Sequence, residues 1–392
     1  MPSADGLVAL AQELLSPRRT VSGPGLAAEL LSLYALSGRS TRHAFLRMLA
    51  SRFPLDGDRV ETAFGLWREK ADAASLAALH AATEARPRQL LQLLNLAPDG
   101  TRQLVGMRSD LLELEDFASV RELDADFAHV FTSWFNAGFL ELRAIDWHSP
   151  AAILDLIIAY EAVHAIDGWD ELRRRLAPAD RRCYAFFHPR LADEPLIFIE
   201  VALTQGLPIS LDELISPSRS LLDPARVNTA IFYSISNCQR GLRGIPFGNF
   251  LIKRVVERLH AELPQISTFA TMSPVPGFGA WAEKNAAGAT GEALRAHAAR
   301  YLLEEKSRSG EVADPVGRFH LGNGARLEAV HFCEGEPSSL ASSANIMVNY
   351  VYELSKLEQN HLALLGRGEV ASSSAVRALA GVNDRRSEAS ML

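Results

Sequence analysis

Thr229-Ala-Ile-Phe-Tyr-Ser-Ile-Ser236 runs into Asn237-Cys-Gln-Arg-Gly-Leu-Arg-Gly-Ile-Pro-Phe-Gly-Asn249, and then into Phe250-Leu-Ile-Lys-Arg-Val-Val-Glu257. The first segment is dominated by β-branched and aromatic residues, the texture of a buried strand. The third carries Leu251, Ile252, Val255, Val256 and Leu259 at helical spacing, so a helix is expected over 249–263. Strand, glycine-bearing loop and helix start make the layout of an anion site. Free backbone N–H groups and the positive end of the helix dipole face outward together. Gly241, Gly244 and Gly248 let the backbone approach a ligand, and Asn249 is a candidate cap. Arg240, Arg243, Lys253 and Arg254 add positive charge, which makes a pyrophosphate the natural guest. The spacing is neither GxxxxGKS/T nor GxGxxG. An ordinary glycine loop with solvated arginines is therefore the competing reading.

Upstream, residues 1–135 read as helical. Leu7, Leu10, Ala11 and Leu14 recur at three- and four-residue spacing, as do Leu26, Leu30 and Leu31, and later Leu90, Leu91, Leu93 and Leu94. Breaks fall at Pro17, Ser22-Gly23-Pro24-Gly25, Pro54-Leu55-Asp56-Gly57, Pro87 and Pro98-Asp99-Gly100. Short helices with short turns imply an all-α bundle. Residues 136–392 have another texture. Segment 138–147 alternates like a strand, helices are expected over 149–163 and 170–176, and strand-like runs follow over 182–188, 196–204, 229–236, 266–272, 325–332 and 346–352. Strands interleaved with helices make an α+β domain with a mixed sheet. The Ser-, Ala- and Arg-rich stretch after Gly366 is expected to be loose.

Composition limits the function classes. The 392 residues carry 40 Lys+Arg and 47 Asp+Glu, a formal charge of −7, with 48% hydrophobic residues. A chain of this kind folds, and its acidity argues against general nucleic-acid binding. Three separated cysteines, Cys183, Cys238 and Cys333, form no disulfide framework, and the N-terminus has no signal-peptide pattern. The most apolar stretch, 151–163, is interrupted by Asp155 and Glu161 and is too short to span a bilayer. Ser390-Met391-Leu392 resembles a peroxisomal tail only faintly, so a cytoplasmic setting is expected. His331 and Cys333 stand close together without further ligands at zinc spacing, so no metal site is expected.

Two polar residues stand out. Ser273 ends a strand at Ser273-Pro-Val-Pro-Gly-Phe278, where two prolines stiffen the turn. It is a turn serine or a site serine. His320 lies between Phe319 and Leu321 just ahead of Asn323-Gly324, a hairpin-type turn signal before a strand. It is a core histidine or an acid–base group.

The 237–249 loop resembles the coenzyme A loop of the GNAT acetyltransferase superfamily, in which loop N–H groups hold the pyrophosphate. A longer series narrows this to one family. Trp134-Phe-Asn-Ala-Gly-Phe-Leu140, Trp147-His-Ser-Pro150, Arg181-Arg-Cys-Tyr184, Glu194-Pro-Leu196, Val201-Ala-Leu-Thr204, Ala230–Ser236, Gly248–Val256, Ser273–Phe278 and Phe319-His-Leu-Gly-Asn-Gly324 occur in an order that resembles malonyl-CoA decarboxylases. The resemblance covers roughly residues 90–355. It implies a helical oligomerisation domain (1–135) and a GNAT-like catalytic domain (136–392). It implies conversion of malonyl-CoA to acetyl-CoA and CO2 without a metal or other cofactor, and a homo-oligomer, by resemblance a tetramer, built through the helical domain. It carries the catalytic roles onto Ser273 and His320, and malonyl-CoA binding onto Arg243, Gly244, Ile245, Pro246, Phe247, Gly248 and Asn249 together with Ser273 and His320. Some members carry an acidic residue where this chain has Pro246, so a carboxylate there is no part of its chemistry. The stretch between Pro276 and His320 is shorter than in some relatives. Two other functions fit an acyl-CoA fold: acyl transfer to an amine, and a non-catalytic acyl-CoA sensor.

Overall fold

In a computed structural model, residues 2–16, 23–223, 225–245, 251–333 and 342–382 are described. The 229–236 run is the buried strand its composition predicts. It belongs to an eight-stranded sheet formed by β1 (Glu141–Ile145), β2 (Arg181–Phe187), β3 (Ile197–Thr204), β4 (Thr229–Asn237), β5 (Thr268–Thr271), β6 (Ser273–Pro274), β7 (Arg326–Phe332) and β8 (Ile346–Val351). The order is β1-β2-β3-β4-β5-β8-β6, with β7 also paired to β8. Every pairing is antiparallel except β4 with β5. β2 and β3 are buried on both faces, which explains their near-continuous apolar sequence. On one face Cys183, Ala185, Phe187 and Phe198 pack with Ile157 and Leu172, from the helices Ala151–Tyr160 and Gly168–Leu176. On the other, the Tyr184 hydroxyl donates to Glu262 (3.0 Å) at the end of the helix Leu251–Glu262, and Arg254 lies over the Phe186 ring. Each large apolar side chain buried here contributes about 1.5–3 kcal/mol.

The parallel pair separates partway. β4 and β5 are in register from Thr229↔Thr268 to Phe232↔Thr271. β4 then continues to Asn237, while Ser273 and Pro274 pair with Val348 and Met347 of β8. Pro274 and Pro276 have no N–H to offer a neighbouring strand, so the ladder cannot extend. The parting leaves a gap beside Ser273.

The contacts divide the chain into two compact units. The sheet unit comprises Glu141–Phe187, Asp193–Cys238 and Gly248–Leu392; the helical unit comprises Met1–Leu140 with His188–Ala192 and Gln239–Phe247. Among its described residues, the helical unit contains eight α-helices between Ala4 and Trp134. Its core is built on Leu30, Leu31, Leu90 and Leu91 from the apolar stripes, together with Phe45, Phe127 and Phe131. Helix starts are fixed locally: Asp72 and Ser75 form a reciprocal capping box at the start of the helix Ala73–Thr83. No described helix is long and apolar enough to cross a membrane.

Three expectations need correction. His320 does not precede a hairpin: it lies on the helix Pro315–Gly322, which Asp314 caps by accepting from Gly317 N (2.8 Å). Asn323-Gly324 is instead the stop of that helix. Gly324 has φ +82°, and a Cβ there would fall 2.1 Å from the Leu357 carbonyl oxygen, so only glycine fits. The stretch after Gly366 is not loose throughout. Ser374–Ala380 is a helix capped by Ser373 that buries Val376 and Ala380. Third, the helix expected over 149–163 stops at Tyr160, because Glu161 turns extended and its carboxylate accepts from Val163 N, His164 N and Ser234 Oγ (each 2.8 Å).

Candidate active site

The gap between β4 and β6 is a cavity of about 300 Å³. Apolar Val163, Ile197, Ile235, Met272 and Phe319 line much of it, and Asn237, Ser273 and His320 supply polar atoms. Among the described residues, no Lys, Arg, Asp or Glu lines it. Ser273 and His320, 47 positions apart in sequence, meet here: Ser273 Oγ lies 3.3 Å from His320 Nε2. Both side chains are buried.

The polar atoms form one directed chain. Ser273 Oγ donates to Thr271 Oγ1 (2.9 Å). With its proton so placed, Ser273 Oγ is the acceptor for His320 Nε2–H. His320 Nδ1 is then the acceptor for the Tyr352 hydroxyl at 2.7 Å. The imidazole is thus the Nε2–H tautomer, a donor aimed at the serine. Burial pushes its pKa from 6.5 down to about 3, so it is neutral at physiological pH. The Tyr350 ring stacks on it at 4.8 Å and 25° and fixes its plane. Burial drives the Tyr352 phenol well above its usual pKa, so it keeps its proton for the histidine.

One carboxylate positions both halves. Asp314 is fully buried; its Oδ1 caps the histidine helix at Gly317 N, and its Oδ2 accepts from Gly277 N (2.9 Å) at the end of the serine turn. A Cβ at Gly277 would sit 2.4 Å from the Tyr301 hydroxyl, so any larger residue in this turn would require the tyrosine to shift. Sequence reasoning missed Thr271, Tyr352, Asn237 and Asp314. Asp314-Pro315 was a readable cap-and-first-turn signal. Tyr352 sends none, because its role exists only through tertiary contact.

The glycine loop belongs to the helical unit. Buried Arg108 of the helix Gly100–Leu111 donates through Nη1 to the carbonyls of Gly241 (2.7 Å) and Arg243 (2.9 Å), and through Nε to Asp124 (2.8 Å). Gly241 serves close packing rather than a ligand: a Cβ would lie 1.9 Å from the Val105 carbonyl oxygen. Gly244, at φ +77°, is exposed, as is Arg243, and Ile245 is buried. Arg240 is paired with Glu113 (3.1 Å) and Lys253 with Glu257 (3.7 Å), so neither is a bare charge. Pro246, Phe247, Gly248 and Asn249 lie outside the described residues, and with them the expected helix cap. His331 Nε2 bonds Asn349 Oδ1 (2.6 Å), and among the described residues no group of three or more His, Cys, Asp or Glu is placed to hold a metal ion.

A helical bundle and a mixed sheet whose parallel strands part around a buried hydroxyl–imidazole pair define a protein with an all-α unit and an α+β unit. Family models narrow the class. The malonyl-CoA decarboxylase N-terminal domain matches residues 53–135, and the C-terminal domain matches residues 138–292 and 281–390. The mitochondrial malonyl-CoA decarboxylase of Mus musculus is 32% identical over 421 aligned positions, covering 91% of this chain and 85% of that protein. The crystal structure of malonyl-CoA decarboxylase from Rhodopseudomonas palustris superposes with a TM-score of 0.90 at 45% identity, covering 96% of this chain and 100% of that one. That from Agrobacterium vitis gives 0.89 at 46% identity, over 96% and 99%. The chain belongs to the malonyl-CoA decarboxylase family.

Proposed function

We infer that this chain decarboxylates malonyl-CoA to acetyl-CoA and CO2. The C–C bond to the carboxylate breaks, its electron pair moves into the thioester as an enolate, and the methylene carbon takes one proton to become the acetyl methyl. The observation that carries this reading is the Ser273–His320 contact inside a pocket lined, among the described residues, by no charged side chain. A negative carboxylate enters an uncharged cavity and a neutral gas leaves it. Among the described residues no guanidinium lines the cavity to stabilise the bound carboxylate, while hydrogen-bond donors wait where the oxyanion grows.

In this reading His320 Nε2–H donates to the thioester oxygen as it becomes an enolate. A neutral imidazole suits the task, since it stabilises charge without surrendering its proton first. Tyr352 holds the tautomer. With substrate bound, the Ser273 hydroxyl turns from Thr271 to orient the malonyl carboxylate and relays to the methylene carbon one proton drawn from solvent, while His320 turns its Nε2–H from the serine to the enolate oxygen and keeps that proton. Arg243, Gly244 and Ile245, with Pro246, Phe247, Gly248 and Asn249 beyond the described residues, receive the coenzyme A portion. Arg243, exposed and without an ion pair among the described residues, supplies charge for its phosphates.

A homo-oligomer, a tetramer by family resemblance, assembled through the helical bundle is part of this proposal. So is a reducing, cytoplasm-like setting, which three buried cysteines far apart in sequence support. The deciding experiment incubates the purified protein with malonyl-CoA alone. Equal molar yields of acetyl-CoA and CO2 are expected. Turnover only with an added amine would identify an acyltransferase, and stoichiometric binding without CO2 a sensor.

A further inference from the structure

A second cavity, of about 290 Å³, lies within the sheet unit and is lined by Arg174, Arg175, Arg181 and Arg219, by one carboxylate, Glu171, which is paired with Arg175, and by Ser216, Tyr233 and apolar side chains. Four guanidiniums on one small cavity are notable in a chain of net charge −7. Two have carboxylate partners. Arg219 grips both oxygens of Asp180 (2.6 and 3.1 Å). Arg175 pairs with Glu171 and, at 3.2 Å, with Glu200. The other two do not. Arg181, 5% exposed, donates to the carbonyls of Leu214 and Asp180 and lies 5.9 Å from the Tyr233 ring centroid, with no ion pair among the described residues. Arg174 is exposed at the rim and makes neither hydrogen bond nor ion pair among the described residues. The three local carboxylates, Glu171, Asp180 and Glu200, do not balance the four cations. Glu200 Oε1 is buried without a partner among the described residues.

An arginine keeps its charge even when buried. Burying it without a counter-ion is costly, and a ligand that supplies the missing negative charge removes that cost. The volume sits at the lower end of small-molecule sites. We propose that this cavity is a second ligand site that binds a small phosphate dianion, free or carried on a small phosphate monoester, between Arg181 and Arg174. Guanidinium forks match phosphate oxygens in pairs. Leu214, Ile215 and Tyr233 offer an apolar wall for the carrier of a monoester. The proposal is independent of the decarboxylation reading, and its test reads binding alone.

The test titrates the intact protein with sodium phosphate and with glycerol phosphate, each against sodium chloride of equal ionic strength, by calorimetry and by thermal shift. Saturable binding and stabilisation are expected. Tighter binding of the ester than of phosphate would identify the carried form, and the reverse the free ion. Arg174→Glu, a rim substitution that leaves the core intact, should weaken binding about tenfold or more, the loss expected when a charge-assisted contact is replaced by repulsion. Arg181→Gln, with folding checked by circular dichroism, should weaken it at least as much. Arg243→Glu should leave it unchanged, which separates this site from the glycine loop. Absence of saturable binding in the parent protein, or binding that survives both Arg174→Glu and Arg181→Gln, overturns the proposal.

Discussion

Two cavities of nearly equal size share Tyr233 as a wall, and their linings are opposite. The one beside Ser273 has no charged side chain among the described residues; the one beside Arg181 has four guanidiniums. An anion held by arginines gains from staying an anion. A carboxylate held among Val163, Ile197 and Met272 gains from ceasing to be one. On the two readings proposed above, the same fold supplies a place to keep negative charge and a place to discharge it, and the choice lies in a few side chains around one strand.

The largest test of that contrast removes the donors from the uncharged cavity. His320→Ala and Ser273→Ala should each lower kcat by about 10²–10⁴, the range of general acid–base groups, with smaller effects on KM. Near-parental turnover in either folded variant would take that residue out of the reaction. A second test moves one cavity toward the other. Asn237 is exposed at the mouth, so Asn237→Arg brings in a cation without disturbing the core. Malonyl-CoA should bind more tightly and kcat should fall about tenfold, because ground-state binding of the carboxylate then exceeds that of the transition state. A rise in kcat would refute the uncharged-pocket argument.

Smaller effects follow for positioning and capture. Tyr352→Phe frees the imidazole tautomer and should lower kcat several-fold without changing KM. In the parent protein the neutral imidazole leaves kcat without a step near the free-histidine value of 6.5. Stability has a definite sign: with the folded value near 3 against 6.5 unfolded, the contribution of His320 is present above 6.5 and is lost as pH falls toward 3. Denaturant midpoints should therefore drop on acidification more for the parent than for His320→Asn. Least disruptive to chemistry, Arg243→Glu should raise KM several-fold with kcat nearly unchanged; an unaltered KM would place the phosphates elsewhere.

Much of the architecture was legible. β-branched and aromatic runs gave the strands of the sheet, and leucine spacing gave the bundle, because burial imposes period on sequence. The site was legible only in part. Ser273 stood out through the prolines around it, yet His320 was set in the wrong local structure. Asn-Gly stops a helix as readily as it turns a hairpin, since both need a positive φ. Arg108, Tyr352 and the Arg181 cavity were invisible, because each acts on residues far away in sequence: Arg108 acts on Gly241, 133 positions on.

Asp314 carries a practical consequence. Because its two oxygens hold the serine turn and the histidine helix to a common frame, the two segments form a single cassette. A chimaera that grafts either one from a distant relative without the aspartate would keep both reactive groups and lose their registry.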